Sequence, residues 1–262
     1  MQAQPPRQDS PNRVRASSLA RLQQALVLGA VLLAAIWVLA TGPHSAAGLL
    51  AGPALLAVMH AVILGIETLA AAVINRSDGS QQATAWQWVR AWWQEVKVAP
   101  LVFAWRQPFC WRQWPDTTVP PTVPQPGVVF IHGFFCNRGF WLPWMARLEK
   151  LGMPYTSVNL EPIFGSIDDY APIVDDAVRR ATELTGRAPI LVCHSMGGLA
   201  ARACDGGDLV GVPLHRAVQT SGEVHACVSI GTARSEAALM RRLHRAAEHT
   251  AIAARLKGIG RK

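Results

Sequence analysis

Hydrophobic and polar positions divide the chain into three regimes. Residues 22–41, "LQQALVLGAVLLAAIWVLAT", carry no charge, and twenty helical residues span about 30 Å, the thickness of a bilayer's hydrocarbon core. A second apolar run, Ala46 to Ile74, follows almost at once. A cleaved signal peptide has a shorter apolar core and a small-residue cleavage site, so the pair predicts a two-helix transmembrane hairpin over 22–75, after a basic tail at 1–21. His60 and Glu67 lie in the second run. Ionisable groups in lipid face a partner, and seven residues apart on one face, these two are expected to meet.

The middle regime, residues 76–127, is neither core nor span. Residues 85–114 hold seven of the ten tryptophans, interspersed with Arg and Lys, which suits the headgroup layer of a membrane. "PDTTVPPTVPQPG", residues 115–127, has five prolines and reads as a linker.

From Val128 the pattern alternates. "VVFIH" (128–132), "YTSVNL" (155–160) and "APILVCH" (188–194) read as strands. Trp141–Leu151, 168–185 and 196–203 read as helices. Tyr170, Ile173, Val174, Ala177, Val178, Ala181 and Leu184 recur at helical spacing, with acids in the first turn and Gly186 at the end. Such alternation predicts a parallel sheet with helices on its faces over 128–262.

Charge sharpens the membrane reading. The net charge of +8 is concentrated at the ends. Residues 1–21 hold four Arg and one Asp, residues 234–262 eight basic and two acidic groups, and 22–233 thirteen basic and fourteen acidic. A broad basic face for nucleic acid is therefore not expected. Arg7, Arg13, Arg15 and Arg21 precede the first span, and Arg76 and Arg90 follow the second. The connecting "TGPHS" has neither Lys nor Arg, so both termini are expected in the cytoplasm. Five cysteines without a CxxC pair fit free thiols in a reducing compartment.

The chemistry gathers at two strand ends. In "LVCHSMGGLAAR", Ser195 stands where a strand becomes a helix, the context of a nucleophile elbow. Gly197 supplies the small residue two positions after it, and Gly198 helps the helix pack. Two positions before it stands Cys193, which is small and so expected to be exchangeable for glycine. In "FIHGFFCNRGFW", Gly133 lets the chain turn so that the Phe134 amide can face a developing oxyanion, and the Met196 amide would be the second donor. His132 and His194 are expected to be structural.

These segments, with "EPIFGSIDDYAPIVDDAV", resemble the α/β-hydrolase lipases and esterases over residues 125–203, and more narrowly bacterial members with an N-terminal hydrophobic hairpin. The resemblance implies an α/β-hydrolase core, Ser195 as nucleophile, Phe134 and Met196 as oxyanion donors, and a carboxylic ester or lipid as substrate. No metal or cofactor is implied, and the location would be a bacterial inner membrane. The triad of this family needs an acid and then a histidine from later strands. "VHACVSIGT" (224–232) supplies one more strand, but the tail reads as a basic helix to about Lys257. The core is therefore expected to be incomplete, and ester turnover scarcely above background. Asp205 and Asp208 remain as candidate acids, and His215, His225, His244 and His249 as candidate bases. The alternative is a catalytically defective relative serving as a membrane-bound binding module.

Overall fold

The computed structural model describes residues 17–41, 46–77, 83–204 and 226–230. They fall into two units, one formed by Arg21–Phe109 and the other by the residues up to 20 and from 110 on.

The first unit is helical. Helix α1 (Ser18–Thr41) and helix α2 (Ala46–Ile74) contain the spans Ser18–Ala40 and Leu50–Ile74, both long and apolar enough to cross a membrane. Gly52 gives α1 and α2 a close approach, for a Cβ there would stand 3.2 Å from the Trp37 indole nitrogen. Helix α3 (Ala85–Pro100) starts at a capping box in which Thr84 and Gln87 satisfy each other's backbone N–H, and continues as a π-helical stretch, Leu101–Cys110. Trp88, Trp92, Val96 and Ala99, at spacings of four, four and three, are its least exposed positions. That face meets α2: the Trp92 indole N–H donates to the Ala61 carbonyl at 2.8 Å, and the His60 Nε2–H lies 3.3 Å from the Val96 carbonyl. The partner of His60 is thus a backbone carbonyl of α3, not the expected Glu67, which is exposed. A ring one helix away reaches a neighbouring backbone more readily than a side chain two turns along its own helix.

The second unit is a doubly wound sheet. Four parallel strands, β1 (Val128–Ile131), β2 (Tyr155–Ser157), β3 (Ile190–His194) and β4 (Ala226–Ile230), lie in the order β2-β1-β3-β4. The register pairs Val128 with both Tyr155 and Ile190, and Ile190 with Ala226. β1, β2 and the first four residues of β3 are buried on both faces, so β1 (VVFI) and the start of β3 (ILVC) read as continuous apolar runs rather than alternating ones.

The two faces carry separate cores. Val128, Phe130, Ile190 and Val192 face helix α4 (Leu142–Lys150) and the 3₁₀ turn before it, with Trp141 stacked on Phe130 at 5.0 Å. Val129, Ile131, Leu191 and Cys193 face helices α5 (Ile167–Thr185) and α6 (Gly197–Cys204). α5 forms where its periodicity predicts. Ser166 and Asp169 make a capping box, Gly186 closes the helix at φ 65°, and Tyr170, Ile173, Val174, Ala177, Val178 and Ala181 are buried. Burial of each large apolar side chain contributes about 1.5–3 kcal/mol, so a charge at Val174 would break the layer.

The start of the proline-rich stretch is held on the edge of β2. The Thr117 N–H donates to the Tyr155 carbonyl at 2.9 Å, the Tyr155 N–H returns to the Thr117 hydroxyl at 3.0 Å, and the Ser157 N–H reaches Asp116 at 3.1 Å.

Candidate active site

The strand order fixes where a site can form. From β1 the chain moves to one side for β2, then crosses to the other side for β3, so the loops leaving β1 and β3 diverge at their carboxyl ends. That switch point is where open α/β sheets bind ligands. The two loops are 132–138 after β1 and 195–196 after β3.

At the end of β3 the chain turns within one residue. Ser195 has φ 51°, a left-handed conformation that side-chain-bearing residues rarely adopt. Helical bonding begins at once, with the Gly198 N–H on the Ser195 carbonyl at 3.0 Å and the Leu199 N–H on the Met196 carbonyl at 2.9 Å. The Met196 amide stands immediately before α6, at the helix end where backbone N–H groups lack intrahelical acceptors. Ser195 is exposed and Met196 partly buried against the α5–α6 core.

The turn requires glycines on both sides of it. A Cβ on Gly197 would stand 2.6 Å from the carbonyl oxygens of both Ile131 and His132. Here α6 presses directly on the backbone of β1. A Cβ on Gly133 would stand 2.9 Å from the Ser195 Cβ and 2.9 Å from the His194 Nδ1. So the peptide from Gly133 to Phe134 passes alongside the elbow. Phe135, next in that loop, has φ 55°, a second strained residue in the same place.

His132 is buried with both ring nitrogens occupied. Its Nε2 accepts from the Leu160 N–H at 3.0 Å, so the proton sits on Nδ1 and donates to the Gly133 carbonyl at 2.9 Å. Burial foremost, with the nearby His194 adding to it, lowers its pKa to about 4, against the bond to Gly133 that favours the charged form. His132 is a neutral strut. His194 stacks on Phe140 at 4.6 Å, and burial lowers its pKa as well. Cys193 is fully buried beside Leu191 in the α5–α6 core, so the position takes the volume of a thiol and is not merely a place for something small.

Three features of the site region carry no local sequence signal. Arg138 is wholly buried, 2.8 Å from Asp116, and the other oxygen of Asp116 lies 3.3 Å from Arg180. Burial pushes the Arg138 pKa down while Asp116 holds it up. Phe164, 75% exposed in the loop after β2, leans on the half-exposed Phe134 with ring centroids 5.9 Å apart. Glu161, in that same loop, takes the Ser18 N–H at 2.8 Å.

The candidate acids Asp205 and Asp208 and the candidate bases His215, His225, His244 and His249 lie outside the described residues. Among the described residues, no three His, Cys, Asp or Glu side chains come together as metal ligands would.

A family model described as "Alpha/beta hydrolase family" matches residues 128–260, about half of the chain. The chain belongs to the alpha/beta hydrolase family. The matched residues begin at the first residue of β1. Two crystal structures of the Bacillus licheniformis lipase BlEst2 match this chain over 34% of its length. The propeptide form does so at 23% identity and a TM-score of 0.30, covering 20% of that chain, and the mature form at 22% and 0.30, covering 38%. The matched part is thus well under two thirds of either lipase chain. No protein with a curated description matches this chain.

Proposed function

We propose that the protein is a membrane-anchored serine hydrolase of carboxylic esters, lipid esters included. Ser195 would be the nucleophile, and the Phe134 and Met196 amides the oxyanion donors. The observation that carries this reading is the positive φ of Ser195 at the carboxyl end of β3, with Gly133 and Gly197 packed against it. A strained, exposed serine is kept there only when the surroundings over-determine it, and such strain gathers at functional sites.

In this scheme the Ser195 Oγ attacks the ester carbonyl carbon while its proton passes to a base. The carbonyl oxygen becomes an oxyanion, the alcohol leaves with a proton, and water releases the acid from the acyl-enzyme. Each preorganised donor is worth about 3–4 kcal/mol to that oxyanion. His132 is not the base, because both its nitrogens are committed.

Anchoring rests on the two spans and the arginines flanking them. The positive-inside rule puts both ends of this hairpin in the cytoplasm, at an inner membrane. The exposed Trp86, Trp93 and Trp105 suit the headgroup layer.

The deciding experiment is covalent labelling by a fluorophosphonate, with the adduct mapped by peptide mass. Adduct on Ser195, lost in Ser195→Ala, is the expected result. No adduct on the folded full chain would return the protein to the binding-module reading.

A further inference from the structure

We propose that Glu161 is a positioning residue, which couples the seating of the first turn of α1 to the orientation of the Phe134 amide. The inference rests on the oxyanion role given to that amide above.

The chain of contacts begins at α1. Ser17 caps the helix, its hydroxyl accepting from the Ala20 N–H at 3.1 Å, and Ser17, Leu19 and Ala20 are buried. Ser18 gives both its donors to one carboxylate: its N–H goes to Glu161 Oε1 at 2.8 Å, and its hydroxyl to Glu161 Oε2. A carboxylate at this end of a helix also meets the positive end of the macrodipole. The Glu161 carboxylate is therefore a two-pronged tie to the start of the first apolar span.

The tie continues through the backbone next to it. The Leu160 N–H, one residue before Glu161, holds His132 Nε2, and that bond fixes the ring proton on Nδ1, where it grips the Gly133 carbonyl. The peptide from Gly133 to Phe134 is trans, so its N–H points opposite to its carbonyl. Fixing the Gly133 oxygen therefore fixes the direction of the Phe134 N–H. One residue further back, Asn159 Oδ1 accepts the Arg138 N–H at 2.9 Å. Residues 159–161 thus grip the 132–138 loop near both its ends while Glu161 holds α1. If α1 is unseated, the segment carrying Leu160 loses its outer support, and the amide loses its aim.

The test uses the full-length protein in detergent micelles, with two readouts. The first is the ¹⁵N and ¹H spectrum of the His132 ring. Glu161→Ala should shift Nε2 toward an acceptor without its bond, while Glu161→Gln, which keeps an oxygen for Ser18, should restore the wild-type position. The second is the rate of Ser195 phosphonylation by a small fluorophosphonate, whose phosphoryl oxygen occupies the place of the oxyanion. Glu161→Ala should lower the maximal rate on the order of ten-fold with little change in probe affinity, and the Gln variant should recover most of it. A ring spectrum unmoved by Glu161→Ala overturns the coupling, whatever the labelling rate does. If wild-type Ser195 takes no label while the ring still responds, the nucleophile assignment fails and the coupling stands. If Ser195 labels equally fast in all three proteins, the coupling falls and the nucleophile remains.

Discussion

Gly133 and Ser195 touch across the switch point of the sheet: a Cβ added to the glycine would lie 2.9 Å from the serine Cβ. Neither side can yield easily, since one is backbone in a strut-held loop and the other a strained elbow. Gly133→Ala is therefore expected to move the 132–138 loop, and to cut the Ser195 labelling rate more than it lowers the unfolding midpoint. Gly197→Ala meets two backbone carbonyls at 2.6 Å, and overpacking of this kind costs about 1–3 kcal/mol. Its expected signature is the reverse, a clear drop in midpoint. Equal and negligible effects of both substitutions would mean that the two approaches are not rigid.

Asp116 is the second pressure point. It neutralises a fully buried guanidinium, that of Arg138, and takes the Ser157 N–H besides. Removing one partner of a buried pair strands the other charge at about 3–5 kcal/mol. Asp116→Ala should destabilise the sheet unit by that order in denaturant unfolding. Arg138→Met combined with Asp116→Ala should recover part of the loss, because no charge is then left buried. A double variant as weak as Asp116→Ala alone would show that the pair acts through its geometry and not its charge.

These contacts mark the limits of what the chain discloses by itself. The sheet and its flanking helices were legible, because short apolar runs such as 128–131 and the 3.6 period over 167–185 are local to the chain. The joint between β3 and α6 was legible because a small residue must follow two positions after the turn. The Asp116–Arg138 pair was not. Its members lie 22 residues apart, and the aspartate sits among prolines that spell a linker. Glu161 and Ser18 lie 143 residues apart, and no pattern along a chain announces such a meeting. Sequence pairs His60 with Glu67 because side chains are visible in it, whereas the Val96 carbonyl that His60 reaches belongs to a backbone every residue shares.

Cys193 illustrates the same limit at the site. Elbow spacing asks only for a small residue there, yet the thiol fills space between β3 and the α5–α6 layer. Cys193→Gly leaves a void and adds a flexible residue to a strand, for about 1–2 kcal/mol together. The expected outcome is a lower unfolding midpoint with Ser195 labelling preserved below it. Full stability in the glycine variant would mean that the core closes over the gap.

The strut at His132 makes stability depend on pH in a direction fixed by its pKa. The ring is neutral in the fold, with its pKa lowered to about 4, and returns to 6.5 when unfolded. Above 6.5 neither state binds the proton and the ring contributes no pH dependence. As pH falls from 6.5 toward 4 the unfolded state takes up the proton and the native state does not, so stability declines. Below 4 both are charged and the loss levels off, at about 3 kcal/mol for a shift of this size. His194, lowered by burial too, acts in the same sense. The measurement is the unfolding free energy of the full chain in micelles at pH 7, 5.5 and 4.5, for wild type and His132→Asn. The variant should start lower at pH 7, having lost the strut, and should fall less steeply toward pH 4.5. Parallel pH profiles for the two proteins would show that the His132 ring is protonated as easily in the fold as out of it, and that its neutral, two-bond role is wrong.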